Sequence, residues 1–284
     1  MAGWTVKFDV SDAHHKDIEP LFEDVTHSLF KRTDDLWQVE LFFEEKPDVQ
    51  EVEDRLVQAF GAAPHLEALA LPDCNWLEQT YKNFPPFSLG PFYIYGQHVE
   101  ESTCPQGQVP LCIDASTAFG TGEHPTTEGC LQALIYLKDR FTPHQCLDMG
   151  CGTGILGFAA AKLWKIPTLC IDNDPEATEK AEENKTLNHL EDLVEIRTGE
   201  GFAVCKKDEG FDLILSNIVA GPLKEMVLEF KRSLNSNGFV VLSGILDEQA
   251  DAVVNCYEDQ GLTLVHKIRI AGWSTLILTK HVSS

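Results

Sequence analysis

Three short stretches of this 284-residue chain carry residues that could do chemistry together. The most informative is Cys146-Leu147-Asp148-Met149-Gly150-Cys151-Gly152-Thr153-Gly154-Ile155-Leu156-Gly157, an apolar strand-like run that breaks into glycines and continues into an alanine-rich helical run. Glycines let the backbone turn tightly and approach a ligand with no side chain in the way. The helix that opens there offers N–H groups and a partial positive charge to an anionic group such as a carboxylate. Asp172, in Cys170-Ile171-Asp172-Asn173-Asp174-Pro175, ends the next strand-like run, 22 residues after Gly150. A carboxylate there can accept both ribose hydroxyls of a nucleoside. The spacing Gly152-x-Gly154-x-x-Gly157 also fits the dinucleotide fingerprint, so a nicotinamide or flavin enzyme stays open at this point.

The second stretch is Phe211-Asp212-Leu213-Ile214-Leu215-Ser216-Asn217-Ile218-Val219-Ala220-Gly221-Pro222-Leu223, which puts Asn217 at the end of a strand. The third is Ala118-Phe119-Gly120-Thr121-Gly122-Glu123-His124-Pro125-Thr126-Thr127, just before a helix with Cys130, Leu131, Leu134 and Ile135 on one side. Alone, Thr126 or Thr127 reads as an N-cap and His124 as a structural residue. Together the three stretches read as one site.

These residues need a scaffold, and the length suits one large domain or two unequal ones. The composition, 43% hydrophobic and 24% charged, is that of a globular protein. Residues 1–72 read as strand, helix, strand, helix, strand. Trp4, Val6, Phe8 and Val10 alternate, and Ile18, Leu21, Phe22, Val25, Leu29 and Phe30 are assigned to one helical face. Val39, Leu41 and Phe43 share a strand face, and Val49, Val52, Leu56 and Phe60 repeat helically before Gly61. A small α+β domain is expected. Residues 73–98, dense in turn residues with interleaved aromatics, read as a linker that packs against something. From residue 99 to 284 strands alternate with helices. The expected strands are Gln145–Met149, Thr168–Asp172, Val194–Arg197, Phe211–Ser216, Phe239–Ser243 and Thr275–Thr279, with helices at Ile155–Trp164 and Glu176–Asn188. That alternation predicts a doubly wound, mostly parallel sheet.

Charge narrows the functional classes. With 45 Asp+Glu against 22 Lys+Arg, the net charge is −23, which argues against a free-standing nucleic-acid binder. It suits either simple solubility or a basic macromolecular partner. Residues 1–72 hold 16 acids and 6 bases, a net of −10, whereas the other 212 residues hold 29 acids and 16 bases, a net of −13. The N-terminal region is thus about twice as acidic per residue. The nine cysteines show no C-x-x-C spacing, so neither a metal site nor a disulfide framework is indicated. With no signal-like N-terminus and no apolar run of membrane-spanning length, a cytoplasmic location is expected.

At Asp148-Met149-Gly150-Cys151-Gly152-Thr153-Gly154 the chain resembles motif I of the class I S-adenosylmethionine (SAM) methyltransferases. With the phrase Ala118–Thr127 and with Asn217-Ile218-Val219-Ala220-Gly221-Pro222-Leu223, it closely resembles the ribosomal protein L11 methyltransferase (PrmA) family. Val219 stands where Leu is commoner, and the linker reads Phe92-Tyr93-Ile94-Tyr95-Gly96. The resemblance implies a seven-stranded class I methyltransferase (Rossmann-like) domain preceded by a small ferredoxin-like recognition domain. It implies that Thr127, Gly150, Asp172 and Asn217 contact SAM, with Phe119 and Gly152 as neighbours, and that Asn217 is catalytic. The implied substrate is ribosomal protein L11, methylated on lysine ε-amines and its α-amine. The −23 charge makes the free basic protein the expected form, with no direct nucleic-acid binding, and no membrane binding is expected. Superfamily relatives methylate lysines of the electron-transfer flavoprotein β subunit, so another protein target stays open. So do the nicotinamide oxidoreductase and a catalytically silent binding module.

Overall fold

Alternation at the N-terminus becomes strand β1 (Trp4–Ser11), with Val6, Phe8 and Val10 buried on one face. The computed structural model describes residues 3–22, 25–33, 35–43, 45–70, 85–114, 124–207 and 209–280, and the chain divides into two units, Met1–Gln79 and Thr80–Ser284. In the first unit β1 is followed by α1 (Ile18–Leu21), β2 (Thr26–Thr33), β3 (Leu36–Phe43), α2 (Val49–Phe60) and β4 (Glu67–Ala70). The sheet order is β2-β3-β1-β4 with every neighbouring pair antiparallel, the ferredoxin-like β-α-β-β-α-β arrangement. Asp48 caps α2 by accepting the Gln50 N–H at 3.0 Å, and Gly61, at φ +79°, ends it. Val52 and Leu56 pack from α2 onto Val6, Phe8, Val39 and Leu41.

One expectation fails here. The helix assigned through Val25, Leu29 and Phe30 stops at Leu21, and residues 26–33 are a strand. Val25 and Leu29 are four apart, a spacing that serves one face of a helix and equally one face of a strand. Pro20, lacking an N–H, suits a first helical turn and not an interior. Pairing of Leu29 with Val39 and of Phe30 with Gln38 turns Leu29 to the core and leaves Phe30 52% exposed.

The second unit begins with β5 (Phe87–Leu89), β6 (Phe92–Tyr95) and β7 (Val109–Cys112), a three-stranded sheet. Its first two strands fall in the segment whose prolines and glycines suggested a connection. The turn residues are real, since Gly90 at φ +54° reverses the chain between β5 and β6, but the aromatics between them are strand residues. There follow α3 (Pro125–Lys138), β8 (Cys146–Met149), α4 (Ile155–Trp164), β9 (Thr168–Asp172), α5 (Pro175–Leu187), β10 (Val194–Thr198), β11 (Phe211–Asn217), α6 (Ala220–Glu225), α7 (Val227–Ser233), β12 (Leu234–Leu246), α8 (Ala250–Glu258), β13 (Thr263–Ile270) and β14 (Trp273–Thr279). The seven-stranded sheet runs β10-β9-β8-β11-β12-β14-β13, parallel except for β14, which is antiparallel to both neighbours. Strand β13 was absent from the expected set, because its buried and exposed residues do not alternate cleanly.

Both faces of this sheet are covered, as the near-continuous apolar strands require. Leu131, Leu134, Phe158 and Ala160 belong to the core on one face, and Leu223, Phe230, Val253 and Tyr257 to the core on the other. Strand order reverses between β8 and β11, and ligand crevices in open α/β sheets form at the carboxyl ends of strands at such a point. Asp148, Asp172 and Asn217 stand at or near the carboxyl ends of β8, β9 and β11. Among the described residues no helix is long and apolar enough to cross a membrane.

Candidate active site

The loop after β8 turns through three glycines with positive φ, Gly150 at +73°, Gly152 at +53° and Gly154 at +84°. The Gly150 and Cys151 N–H groups donate to the Ile171 carbonyl at 2.8 and 3.0 Å, tying the loop to β9. Asp172 orients it further. One carboxylate oxygen accepts the Gly152 N–H at 2.9 Å and the other accepts the Asp174 N–H at 3.1 Å. Each oxygen keeps a lone pair for a ligand hydroxyl. Asp174 then caps α5 through the Glu176 N–H at 2.9 Å, with Pro175 in the first turn.

Asn217 faces this loop from the end of β11. Its Nδ2 donates to Thr127 Oγ1 at 3.4 Å, while Oδ1 takes no partner among the described residues. Thr127 is buried in the first turn of α3. The N-cap of that helix is His124 rather than either threonine: its Nδ1 accepts the Thr126 N–H at 3.4 Å, and its ring meets Trp273 edge-on with centroids 5.4 Å apart. Ser243 Oγ donates to the Thr126 carbonyl at 3.1 Å, linking α3 to β12.

The turn after Asn217 is confined on two sides. A Cβ at Gly150 would strike the Ile218 side chain, and a Cβ at Gly244 would strike the Ile218 backbone. Gly244 also sits at φ +80°. Sequence reasoning missed Gly244 and Ser243; the only signal was their place at the end of an expected strand.

Five of the residues expected from sequence, Thr127, Gly150, Gly152, Asp172 and Asn217, line one cavity of about 230 Å³ with Ile155 and Leu156 behind them. A larger cavity of about 770 Å³ adjoins it, sharing Gly150, Asp172, Asn173 and Ile218 and reaching Glu200, Phe202 and Met226. The sixth residue, Phe119, lies outside the described residues. The paired spaces around one carboxylate suit an elongated ligand with vicinal hydroxyls in the middle. Asp148, 1% exposed, accepts the Gly157 N–H with Oδ2 at 2.8 Å. This takes one of the helix donors that the sequence reading left for a ligand. Its Oδ1 has no partner among the described residues, and burial, opposed by the Gly157 bond and reinforced by Asp172, pushes its carboxyl up to about 7.

The profile of one protein family, described as ribosomal protein L11 methyltransferase (PrmA), matches residues 5–281. A ribosomal protein L11 methyltransferase of Rhodopseudomonas palustris strain BisB5 is 37% identical over 259 residues, covering 89% of this chain and 87% of the relative. Its counterpart in Bradyrhizobium diazoefficiens is 35% identical over 267 residues, covering 92% and 90%. The solved structure of a ribosomal protein L11 methylase from Lactobacillus delbrueckii subsp. bulgaricus superposes with a TM-score of 0.62 at 25% identity, covering 70% of this chain and 99% of that one.

The buried acid gives a pH prediction with a definite sign. Folded Asp148 holds its proton up to about pH 7, whereas the unfolded carboxyl releases it near its ordinary value of 3.8. The folded state therefore binds more protons between those values, and this residue's contribution to stability declines as pH rises through that window and is level above it. The slope from this one group approaches about 1.4 kcal/mol per pH unit. Urea unfolding of wild type and Asp148→Asn from pH 5 to 8 should show the variant gaining relative stability as pH rises to 7; a constant difference would reject the shifted carboxyl.

Proposed function

Because the chain belongs to the ribosomal protein L11 methyltransferase (PrmA) family, we propose that it transfers methyl groups from SAM to amines of ribosomal protein L11. The observation that carries this reading is the convergence of Asp172, the glycine loop, Thr127 and Asn217 on one cavity at the switch point of a class I methyltransferase sheet. The alternative target left open by the sequence, a flavoprotein subunit, is not favoured by the named relatives.

The residues present fit SAM. Asp172, already held by two backbone N–H groups, would take the ribose hydroxyls, and Gly150 and Gly152 let the backbone lie against the ligand. Phe119, Thr127 and Asn217 complete the proposed set. SAM supplies a methyl group on a sulfonium, open to direct displacement by an amine. The chain's part is to bring a neutral amine into line with that methyl, which accounts for most of the barrier reduction. A lysine has an ordinary pKa of about 10.4, so deprotonating it at pH 7.4 costs about 4 kcal/mol. A carboxylate at position 217 would deepen that cost by favouring the ammonium form. Neutral Asn217 avoids it. With Nδ2 turned to Thr127, its Oδ1 is placed to accept an amine N–H and aim the nitrogen lone pair.

In this reading residues 1–72 recognise the substrate and 99–284 carry the transfer, with the 73–98 segment contributing β5 and β6 to the second unit. The −10 net charge of the first region would steer a basic protein, and the whole chain's −23 would be repelled by RNA phosphates. The preferred substrate is thus free L11, methylated on lysine ε-amines and its α-amine, with neither nucleic acid nor membrane as a partner. The reaction belongs in the cytoplasm, where the eight free cysteines among the described residues would stay reduced.

Three measurements test this. Asp172→Ala should weaken SAM binding about 100-fold or more by calorimetry, the loss expected for two hydrogen bonds to a charged acceptor, and unchanged affinity would reject its ribose role. Asn217→Asp should lower turnover at pH 7.4 and displace the kcat–pH profile to higher pH; an unmoved profile would reject the neutral-acceptor argument. With labelled SAM at low salt, free L11 should be methylated faster than L11 in assembled ribosomal subunits, and the reverse order would overturn the substrate form.

A further inference from the structure

Two asparagines, Asn184 on α5 and Asn188 at its C-cap, are 0% and 3% exposed, and no sequence motif accounts for them. Their carboxamides grip the end of β7 in a repeated pattern. Asn188 Oδ1 accepts the Cys112 N–H at 3.0 Å, and its Nδ2 donates to the Cys112 carbonyl at 2.7 Å. One turn earlier on the helix and two residues beyond the strand end, Asn184 Oδ1 accepts the Asp114 N–H at 2.9 Å and its Nδ2 donates to the Asp114 carbonyl at 3.0 Å. A helical turn advances about 5.4 Å and two strand residues about 6.7 Å, close enough for the two ladders to match. Each side chain imitates the peptide group of an absent neighbouring strand. Only a carboxamide supplies donor and acceptor together in that geometry.

The two asparagines differ in one contact. Asn188 spends its second donor on its own helix, at the Asn184 carbonyl, 2.8 Å away. Asn184 spends its second donor on the Thr153 carbonyl, 3.0 Å away, inside the glycine loop. Thr153 is fully buried, and it directly follows Gly152, whose N–H donates to Asp172. Asn184 therefore joins two segments that flank the site, the loop after β8 and the chain leaving β7 toward residues 118–127.

We propose that Asn184 is a positioning residue for the cofactor cradle, its carboxamide wedged between Asp114 and Thr153 to hold the glycine loop in the shape that binds SAM. This rests on reading the cavity as a SAM site. Asn188 is the matched control, since it anchors the same helix to the same strand without touching the loop.

The test compares wild type, Asn184→Ser and Asn188→Ser by thermal unfolding, SAM calorimetry and steady-state kinetics on L11. Both variants should unfold at lower temperature. Asn184→Ser alone should raise the SAM Kd and KM about tenfold or more, the loss expected when a buried carbonyl and its donor are separated, with kcat at saturating SAM held within about threefold. An unchanged SAM Kd in Asn184→Ser, or an equal rise in Asn188→Ser, would overturn the proposal. If Asn184→Ser fails to fold, Asn184→Asp gives the same readout, because it is isosteric and still accepts the Asp114 N–H but has no donor for the Asp114 and Thr153 carbonyls. Failure of the wild type to bind SAM would sink the cofactor reading and this proposal with it.

Discussion

Ile218 passes between Gly150 and Gly244, both of which must lack a side chain to admit it. A methyl group on either glycine would occupy space that Ile218 fills, with its side chain on one side and its backbone on the other. Both glycines also adopt positive φ, so a larger residue is excluded twice over. This confinement places Asn217, one residue earlier, against Thr127 and opposite Asp172. The loops after β8 and β11 and the irregularity at Gly244 within β12 must agree for it to hold. The parallel pairing of β8 with β11 and of β11 with β12 sets those segments side by side.

Polar groups around the pocket are held by the chain itself before any ligand arrives. Asp172 is bound by two N–H groups, Thr127 lies under Asn217, and Ser243 bridges Thr126 and Thr275. Such preorganisation lowers the ordering cost of binding. Asp148 is the counterweight. A carboxyl buried with one oxygen unpartnered costs stability when ionised, and the fold tolerates it because Oδ2 joins the strand end to α4 through Gly157. There is no room for a side chain at Gly157: its Cβ would lie 3.2 Å from Asp148 Oδ2 and closer still to the Cys170 sulfur. The acid, the glycine and the cysteine are therefore fitted to one another.

Much of this was legible in the sequence because local chemistry and periodicity agree there. The run Cys146–Gly157 announces strand, turn and helix by three independent signals, and the structure adds the positive φ angles those signals require. Helix Ile155–Trp164 has the bounds the pattern gives. Strand β2 was misread because a four-residue spacing satisfies both periods, and β13 because it lies at a sheet edge where exposure breaks the alternation. Gly244 and Asn184 were invisible for a different reason. Each acts on a segment far away in the chain, at Ile218 and at Asp114 and Thr153, and no local pattern encodes a long-range contact. Likewise the resemblance supplied Asn217 with its role, whereas its orientation by Thr127 emerges only when β11 meets α3.

The central claim is that one preformed cradle holds SAM with its reactive end at Asn217. A crystal structure with S-adenosylhomocysteine tests it most directly. The ribose hydroxyls should sit on Asp172 and the sulfur should point toward Asn217, with the glycine loop and Ile218 unmoved. A ligand seated elsewhere, or one whose sulfur is directed away from Asn217, would contradict it.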